Sequence, residues 1–220
     1  MKVQVKVCCI SSVEEANMAI SAGANALGLV GHMPSGPGVI SDEVIRAIAA
    51  SVPPPISTFL LTSQTKAAGI IQHYLRCYTS AIQLVDAVAH EEYAGIRMAL
   101  PAVKLVQVIH VHDKSSIDEA LSYAAYADAL LLDSGNPGLK VKVLGGTGKT
   151  HNWEISRQIV QKSPIPVFLA GGLKPYNVAE AIAATRAFGV DLCSGIRLGG
   201  ALDPDLMRLF FEQIHYTNAN

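Results

Sequence analysis

The chain has 220 residues, with 17 Lys+Arg against 18 Asp+Glu; it is 50% hydrophobic and holds 18 glycines but only 6% aromatics. That balance fits an α/β globular chain, excludes a disordered or fibrous one, and offers no Lys/Arg run as a footprint for nucleic acid. The opening MKVQVKV lacks the apolar core of a signal peptide, and no stretch reaches the ~18 apolar residues of a spanning helix, so a cytoplasmic location without a membrane partner is expected.

Strand and helix patterns alternate eight times. The first strand spans Val3 to Cys8, with Val3, Val5 and Val7 on one face; its helix carries the stripe Val13, Ala16, Ile20 behind Ser11 or Ser12 as cap. The second runs from Ala26 to Val30, and Ser41 caps a helix bearing Val44, Ile45 and Ile48. The third covers Ile56 to Leu61, followed by a helix with Ala67, Ile70, Ile71 and Tyr74. The fourth, Ala81 to Val85, leads into a weakly patterned helical stretch. The fifth is Lys104 to Ile109, with Ile117, Ala120, Leu121 and Ala124 on its helix. The sixth, Ala129 to Leu132, opens into a long Gly-rich loop before a helix with Trp153, Ile155 and Ile159. The seventh is Ile165 to Leu169 and the eighth Val190 to Cys193, their helices carrying Val178, Ala181, Ile182 and Thr185, then Leu206, Leu209, Phe210 and Ile214.

Short apolar strands buried on both faces suit a parallel sheet. Eight such units in this length predict a (β/α)8 TIM barrel, a single domain over residues 1–220. A doubly wound open sheet is the rival, but the first turn reads CCISSVEE and not GxGxxG.

In such a barrel, residues ending the strands converge on one mouth. Cys8 ends the first strand and Asp133 follows the sixth, a thiolate base and a carboxylic acid in the catalytic reading, a small buried hydrophobe and a turn former in the plain one. Cys9 points away by strand alternation and is assigned to packing. Four cysteines without a CxxC, and seven histidines without HExxH spacing, predict neither structural zinc nor a disulfide framework. His32, His110, His112 and Asp86 lie near strand ends as polar lining.

Glycine clusters mark a candidate anion site. Gly171-Gly172 follows the seventh strand and Ser194-Gly195 the eighth, where barrels commonly hold phosphate on backbone N–H groups. The loop after the sixth strand, Gly145-Gly146-Thr147-Gly148-Lys149, lacks the GxxxxGK[ST] spacing, which argues against a nucleotide triphosphatase.

KVCCI at 6–10, GANALGLV at 23–30, LLLD at 130–133, GGTGKTHNW at 145–153, LAGGLKPYNVAEAI at 169–182 and GVDLCSGI at 189–196 occur in an order that resembles the phosphoribosylanthranilate isomerase family. The resemblance implies a TIM barrel performing an Amadori rearrangement in tryptophan biosynthesis, without metal or other cofactor. By resemblance, Cys8 is the general base and Asp133 the general acid. Gly171, Gly172, Ser194 and Gly195 hold the substrate's phosphate, and Gly146, Thr147 and Gly148 belong to a loop that closes over it.

The departures concern the other end of the substrate. The family has glycine where this chain has Cys9, and an anthranilate-binding arginine where it has Gly38. QLHG reads Gln83-Leu84-Val85-Asp86, FDW reads His151-Asn152-Trp153, and Arg197 stands at a usually acidic position, a candidate replacement cation for the substrate. The leading expectation is the isomerase. The alternatives are a phosphosugar isomerase, epimerase or lyase for another aglycone, and a non-catalytic phosphoribosyl-ligand binding protein. The sequence leaves the oligomeric state open.

Overall fold

A computed structural model of the chain describes residues 2–34, 36–135 and 150–219, with the side chains of 218 and 219 excepted. In chain order the elements are β1 (Gln4–Val7), α1 (Val13–Ala22), β2 (Ala26–Val30), α2 (Asp42–Ser51), β3 (Ser57–Thr62), α3 (Ala67–Cys77), β4 (Ala81–Leu84), α4 (His90–Ala99), β5 (Lys104–His110), α5 (Ser115–Tyr123), β6 (Ala129–Asp133), α6 (Trp153–Lys162), β7 (Val167–Leu169), α7 (Val178–Thr185), β8 (Gly189–Leu192) and α8 (Pro204–Ala219). Strands β1 to β8 pair in sequence order, all parallel, and β8 closes on β1 through Gln4↔Gly189 to Val7↔Leu192. The (β/α)8 barrel read from the sequence is the observed fold.

Strand alternation divides the core into two shells. Val5, Val7, Leu27, Leu29, Leu60, Ile82, Leu84, Leu130, Leu132, Val190 and Leu192 face outward to the helices. Ala26, Val30, Phe59, Leu61, Val106, Val108, Leu131 and Phe168 face into the barrel. Each fully buried aliphatic side chain contributes about 1.5–3 kcal/mol, so both shells favour closure.

Local chemistry sets the helix ends. Ser12 accepts from Glu15 N–H and Ser41 from Val44 N–H, and α1 stops at Gly23, whose φ of 111° suits only glycine without strain. The weak pattern of helix α4 reflects its burial, since Tyr93 and Ile96 alone among its ten residues are buried. The seventh strand begins at Val167, two residues later than expected, since Pro166 offers only its carbonyl, which accepts from Leu130 N–H.

Candidate active site

Cys8 leaves β1 on the inward-facing side, in register after Gln4 and Lys6, and its backbone N–H donates to Leu192 O at 2.8 Å. Beneath it, Lys6 is fully buried and its Nζ lies 2.8 Å from Asp191 Oδ1 of β8. Gly28 of β2 makes room for both side chains. A Cβ there would meet Cys8 Sγ at 2.6 Å and Lys6 Nζ at 2.9 Å, so sulfur and ammonium converge on one bare stretch of backbone. Burial works against the charge of Lys6, yet Asp191 and then Cys8 hold its pKa above the usual lysine range. The ammonium also lies over the Phe59 ring, 5.5 Å from its centroid, and Phe59 packs edge-on against Phe168 inside the barrel.

Asp133 ends β6, three strands round the ring from β1 by way of β8 and β7. Alternation after Ala129 and Leu131 turns its side chain inward. Desolvation pushes its carboxyl up to about 6; Asp191 adds to that, while the Ser134 N–H at 2.7 Å and Lys6 oppose it. The Lys6–Asp191 pair thus bears on both Cys8 and Asp133. Neither Lys6 nor Asp191 had been singled out from the sequence. The signal was there: a strand buried on both faces that still alternates Gln4, Lys6, Cys8 with valine has a polar face toward the barrel interior.

Of the three histidines near strand ends, only His110 turns inward. It pairs in register with Asp133, its Nε2 lies 3.1 Å from Val85 O, and its buried Nδ1 has no hydrogen-bond partner among the described residues. Burial lowers its pKa, so the ring is neutral, with Nε2 donating to Val85 and Nδ1 presenting a lone pair. His112 is exposed, and His32 lies on the outer side of the barrel near His73. Asp86 is buried, with one carboxylate oxygen accepting from Ala87 N–H.

Cys9 does not follow strand alternation. Its φ of 62° swings the side chain into the inner shell beside Cys8, contrary to the outward packing expected. Hydrogen bonding to Cys193 and Cys8, with burial, raises its thiol pKa, so Cys9 stays protonated. Gly38 packs directly on it: a Cβ at 38 would lie 2.6 Å from Cys9 Cβ, on backbone already at φ 78°. The two departures from the family pattern therefore meet in space.

Arg197 begins the short hairpin that follows β8, Arg197–Leu198 with Ala201–Leu202. Its Nη1 and Nη2 donate to the two carboxylate oxygens of Glu15 at 2.8 and 2.9 Å, and Nη2 also reaches Cys9 O at 2.6 Å. Although burial opposes it, Arg197 together with Ser11 N–H holds the Glu15 carboxyl down to about 2. The guanidinium expected to meet a substrate is engaged by α1 and the backbone of the first loop.

The Gly171-Gly172 turn and Ser194-Gly195 come together through Leu173. Gly171 and Gly172 take φ of 84° and 63°, and Gly195, in the 3-10 turn Ser194–Ile196, packs so tightly that a Cβ would lie 1.9 Å from Leu173 O. Asn177 ties down the first turn, donating from Nδ2 to Gly172 O at 3.1 Å and accepting from Lys174 N–H at 2.8 Å. Gly146, Thr147 and Gly148 lie outside the described residues. Just beyond them Asn152 caps α6, accepting from Glu154 N–H at 3.0 Å, so asparagine in HNW supplies a side-chain cap.

Comparison with known proteins places this geometry. The family model described as N-(5'phosphoribosyl)anthranilate (PRA) isomerase matches residues 5–213. The N-(5'-phosphoribosyl)anthranilate isomerase of Methanocella arvoryzae is 33% identical over 215 residues, covering 97% of this chain and 99% of its own, and that of Haloarcula marismortui is 32% identical over 94% of each. The crystal structure of the Thermotoga maritima phosphoribosyl anthranilate isomerase superposes with a TM-score of 0.82 at 27% identity, over 97% of this chain and 99% of that one. A further isomerase structure, in complex with reduced 1-(o-carboxyphenylamino)-1-deoxyribulose 5-phosphate, superposes at 0.79 and 25% identity, with the same coverage. By its sequence and its barrel, this chain belongs to the N-(5'-phosphoribosyl)anthranilate isomerase family.

Proposed function

We propose that the chain isomerises N-(5-phosphoribosyl)anthranilate to 1-(2-carboxyphenylamino)-1-deoxyribulose 5-phosphate, with Asp133 as general acid and Cys8 as general base. Asp133 protonates the ribose ring oxygen as the C1–O bond breaks and the nitrogen lone pair forms the protonated imine. Cys8 then takes the proton from C2, the electron pair moves to the imine nitrogen, and the enolamine tautomerises to the aminoketone. The backbone of Gly171, Gly172, Ser194 and Gly195 grips the phosphate, and that remote binding energy holds the sugar between acid and base. Gly146, Thr147 and Gly148 cover the bound sugar in this reading.

The observation that carries the proposal is the convergence of Cys8 Sγ and Lys6 Nζ over Gly28, with Lys6 bound to Asp191 and Asp133 turned inward at the end of β6; burial there pushes the Asp133 carboxyl up to about 6. A carboxyl that holds its proton up to about pH 6 and a thiol beside an ammonium are the pair that ring opening and proton abstraction need. Freshly prepared phosphoribosylanthranilate should be turned over by the intact chain, and Cys8→Ala and Asp133→Asn should each lose about 10²–10⁴-fold in kcat. Absence of turnover in the intact chain refutes the substrate.

The contact of Gly38 with Cys9 favours a second reading, the same chemistry on a phosphosugar whose aglycone lacks the anthranilate carboxylate. No cation is available at residue 38, and Arg197 is paired with Glu15. The analogue lacking the carboxylate (phosphoribosylaniline), turned over faster than phosphoribosylanthranilate, would select this reading.

A further inference from the structure

Outside the barrel mouth, three potential ligands from two helices converge between α2 and α3. A carboxylate oxygen of Asp42, a ring nitrogen of His73 and the Sγ of Cys77 all lie within 4.8 Å of one another. His73 and Cys77 stand four residues apart on α3, hence on one face, while Asp42 opens α2 and meets them from the neighbouring helix. His73 and Cys77 are buried and Asp42 is half-buried.

From this geometry we infer a zinc site formed by Asp42, His73 and Cys77, separate from the proposed catalytic centre. Carboxylate, imidazole and thiolate together form a mixed O, N, S set suited to Zn²⁺, and the two anions balance its charge. The spacing fits: His73 Nε2 lies 3.1 Å from Asp42 Oδ1, against the ~3.3 Å set by two zinc bonds of about 2.0–2.1 Å at a tetrahedral angle. The supporting partners are also in place. His73 Nδ1 lies 2.8 Å from Thr62 Oγ1 at the end of β3, a hydroxyl able to accept from Nδ1–H when Nε2 carries the metal. Arg76 holds the other oxygen of Asp42, leaving Oδ1 for the ion. Gly31 lets the ring in, since a Cβ there would lie 2.3 Å from His73 Cε1.

Binding displaces one proton, that of the Cys77 thiol, while the neutral His73 ring keeps its proton on Nδ1, and involves no redox change. The ion would tie the start of α2 to α3 and so brace the connection from β2 that carries Gly38 onto Cys9.

The test is cobalt substitution in the full chain, stripped of metal and kept reduced without added thiol. One equivalent of Co²⁺ should produce a thiolate-to-cobalt charge-transfer band in the near-ultraviolet and tetrahedral visible bands, and Zn²⁺ should displace both. Cys77→Ser should abolish the charge-transfer band, Asp42→Asn should weaken binding more than about tenfold, and Thr62→Val should weaken it roughly 10- to 100-fold through the orientation of His73. Asp42→Asn changes a half-buried position isosterically, so it serves where the cysteine variant folds poorly. Failure of the intact chain to take up cobalt, an octahedral spectrum without charge transfer, or bands that survive Cys77→Ser and vanish in Cys8→Ser or Cys193→Ser would each overturn the site.

Discussion

Gly28→Ala is the substitution in which structure and chemistry are most tightly joined. The new methyl would lie 2.6 Å from Cys8 Sγ and 2.9 Å from Lys6 Nζ, with Cys8 Cα at 3.1 Å. Unstrained contacts between carbon atoms lie near 3.5–4.0 Å, so the sulfur must retreat by about 1 Å. Such overpacking costs about 1–3 kcal/mol of stability, which the barrel tolerates. A reacting atom displaced by about 1 Å costs roughly 10²-fold in rate, or about 2.7 kcal/mol in activation free energy. The assay is kcat/KM with phosphoribosylanthranilate, alongside circular dichroism to show an intact fold. Because both substitutions disable the same sulfur, Gly28→Ala/Cys8→Ala should be no slower than Cys8→Ala alone. A folded Gly28→Ala variant within about threefold of the parent would refute the placement of the base, since the sulfur would then have moved without kinetic consequence.

Asp133 acts as an acid only while protonated, so kcat/KM should fall as pH rises through about 6, and Asp133→Asn should remove that limb. The same raised pKa, from 3.8 to about 6, costs stability that is absent below pH 3.8 and complete above 6; Asp133→Asn should therefore stabilise the fold near neutrality by up to about 3 kcal/mol in urea titrations, with no gain at acid pH. Glu15 has the opposite sign. Its pKa falls from 4.5 to about 2, so the Arg197 pair stabilises above 4.5 and is lost as pH drops through 2; Arg197→Met should remove about 1–3 kcal/mol of that acid dependence. Gly38→Arg should destabilise through its contact with Cys9 and its positive φ, and Cys9→Gly should relieve both that clash and the roughly 1–2 kcal/mol cost of a left-handed cysteine. Thermal unfolding of the single and double variants checks this, and equal destabilisation with and without Cys9→Gly would contradict it.

The sequence made the barrel legible because its strands are short and apolar and, the fourth apart, followed by amphipathic helices, and because Ser12 and Ser41 mark helix starts in local chemistry. Cys8, Asp133 and the glycine pairs were legible as strand-end residues. What stayed hidden depends on contacts between elements distant in the chain. Lys6 and Asp191 are 185 residues apart and look like solvent-facing charges until the sheet closes. The inward turn of Cys9 required its φ of 62°, and the role of Arg197 required α1 to bring Glu15 beside the chain leaving β8. The ligands of the proposed zinc site, Asp42, His73 and Cys77, follow no sequence motif because they join two helices that become neighbours only in the barrel.

The most direct measurement is the structure of this chain with a reduced, unreactive analogue of the product ketose phosphate. The account predicts phosphate on the backbone of Gly171, Gly172, Ser194 and Gly195, the sugar's C2 about 3–3.5 Å from Cys8 Sγ, and the Asp133 carboxyl on the oxygen that closed the ribose ring. A sugar bound with its C2 turned away from Cys8, or a phosphate held elsewhere in the barrel, would contradict it.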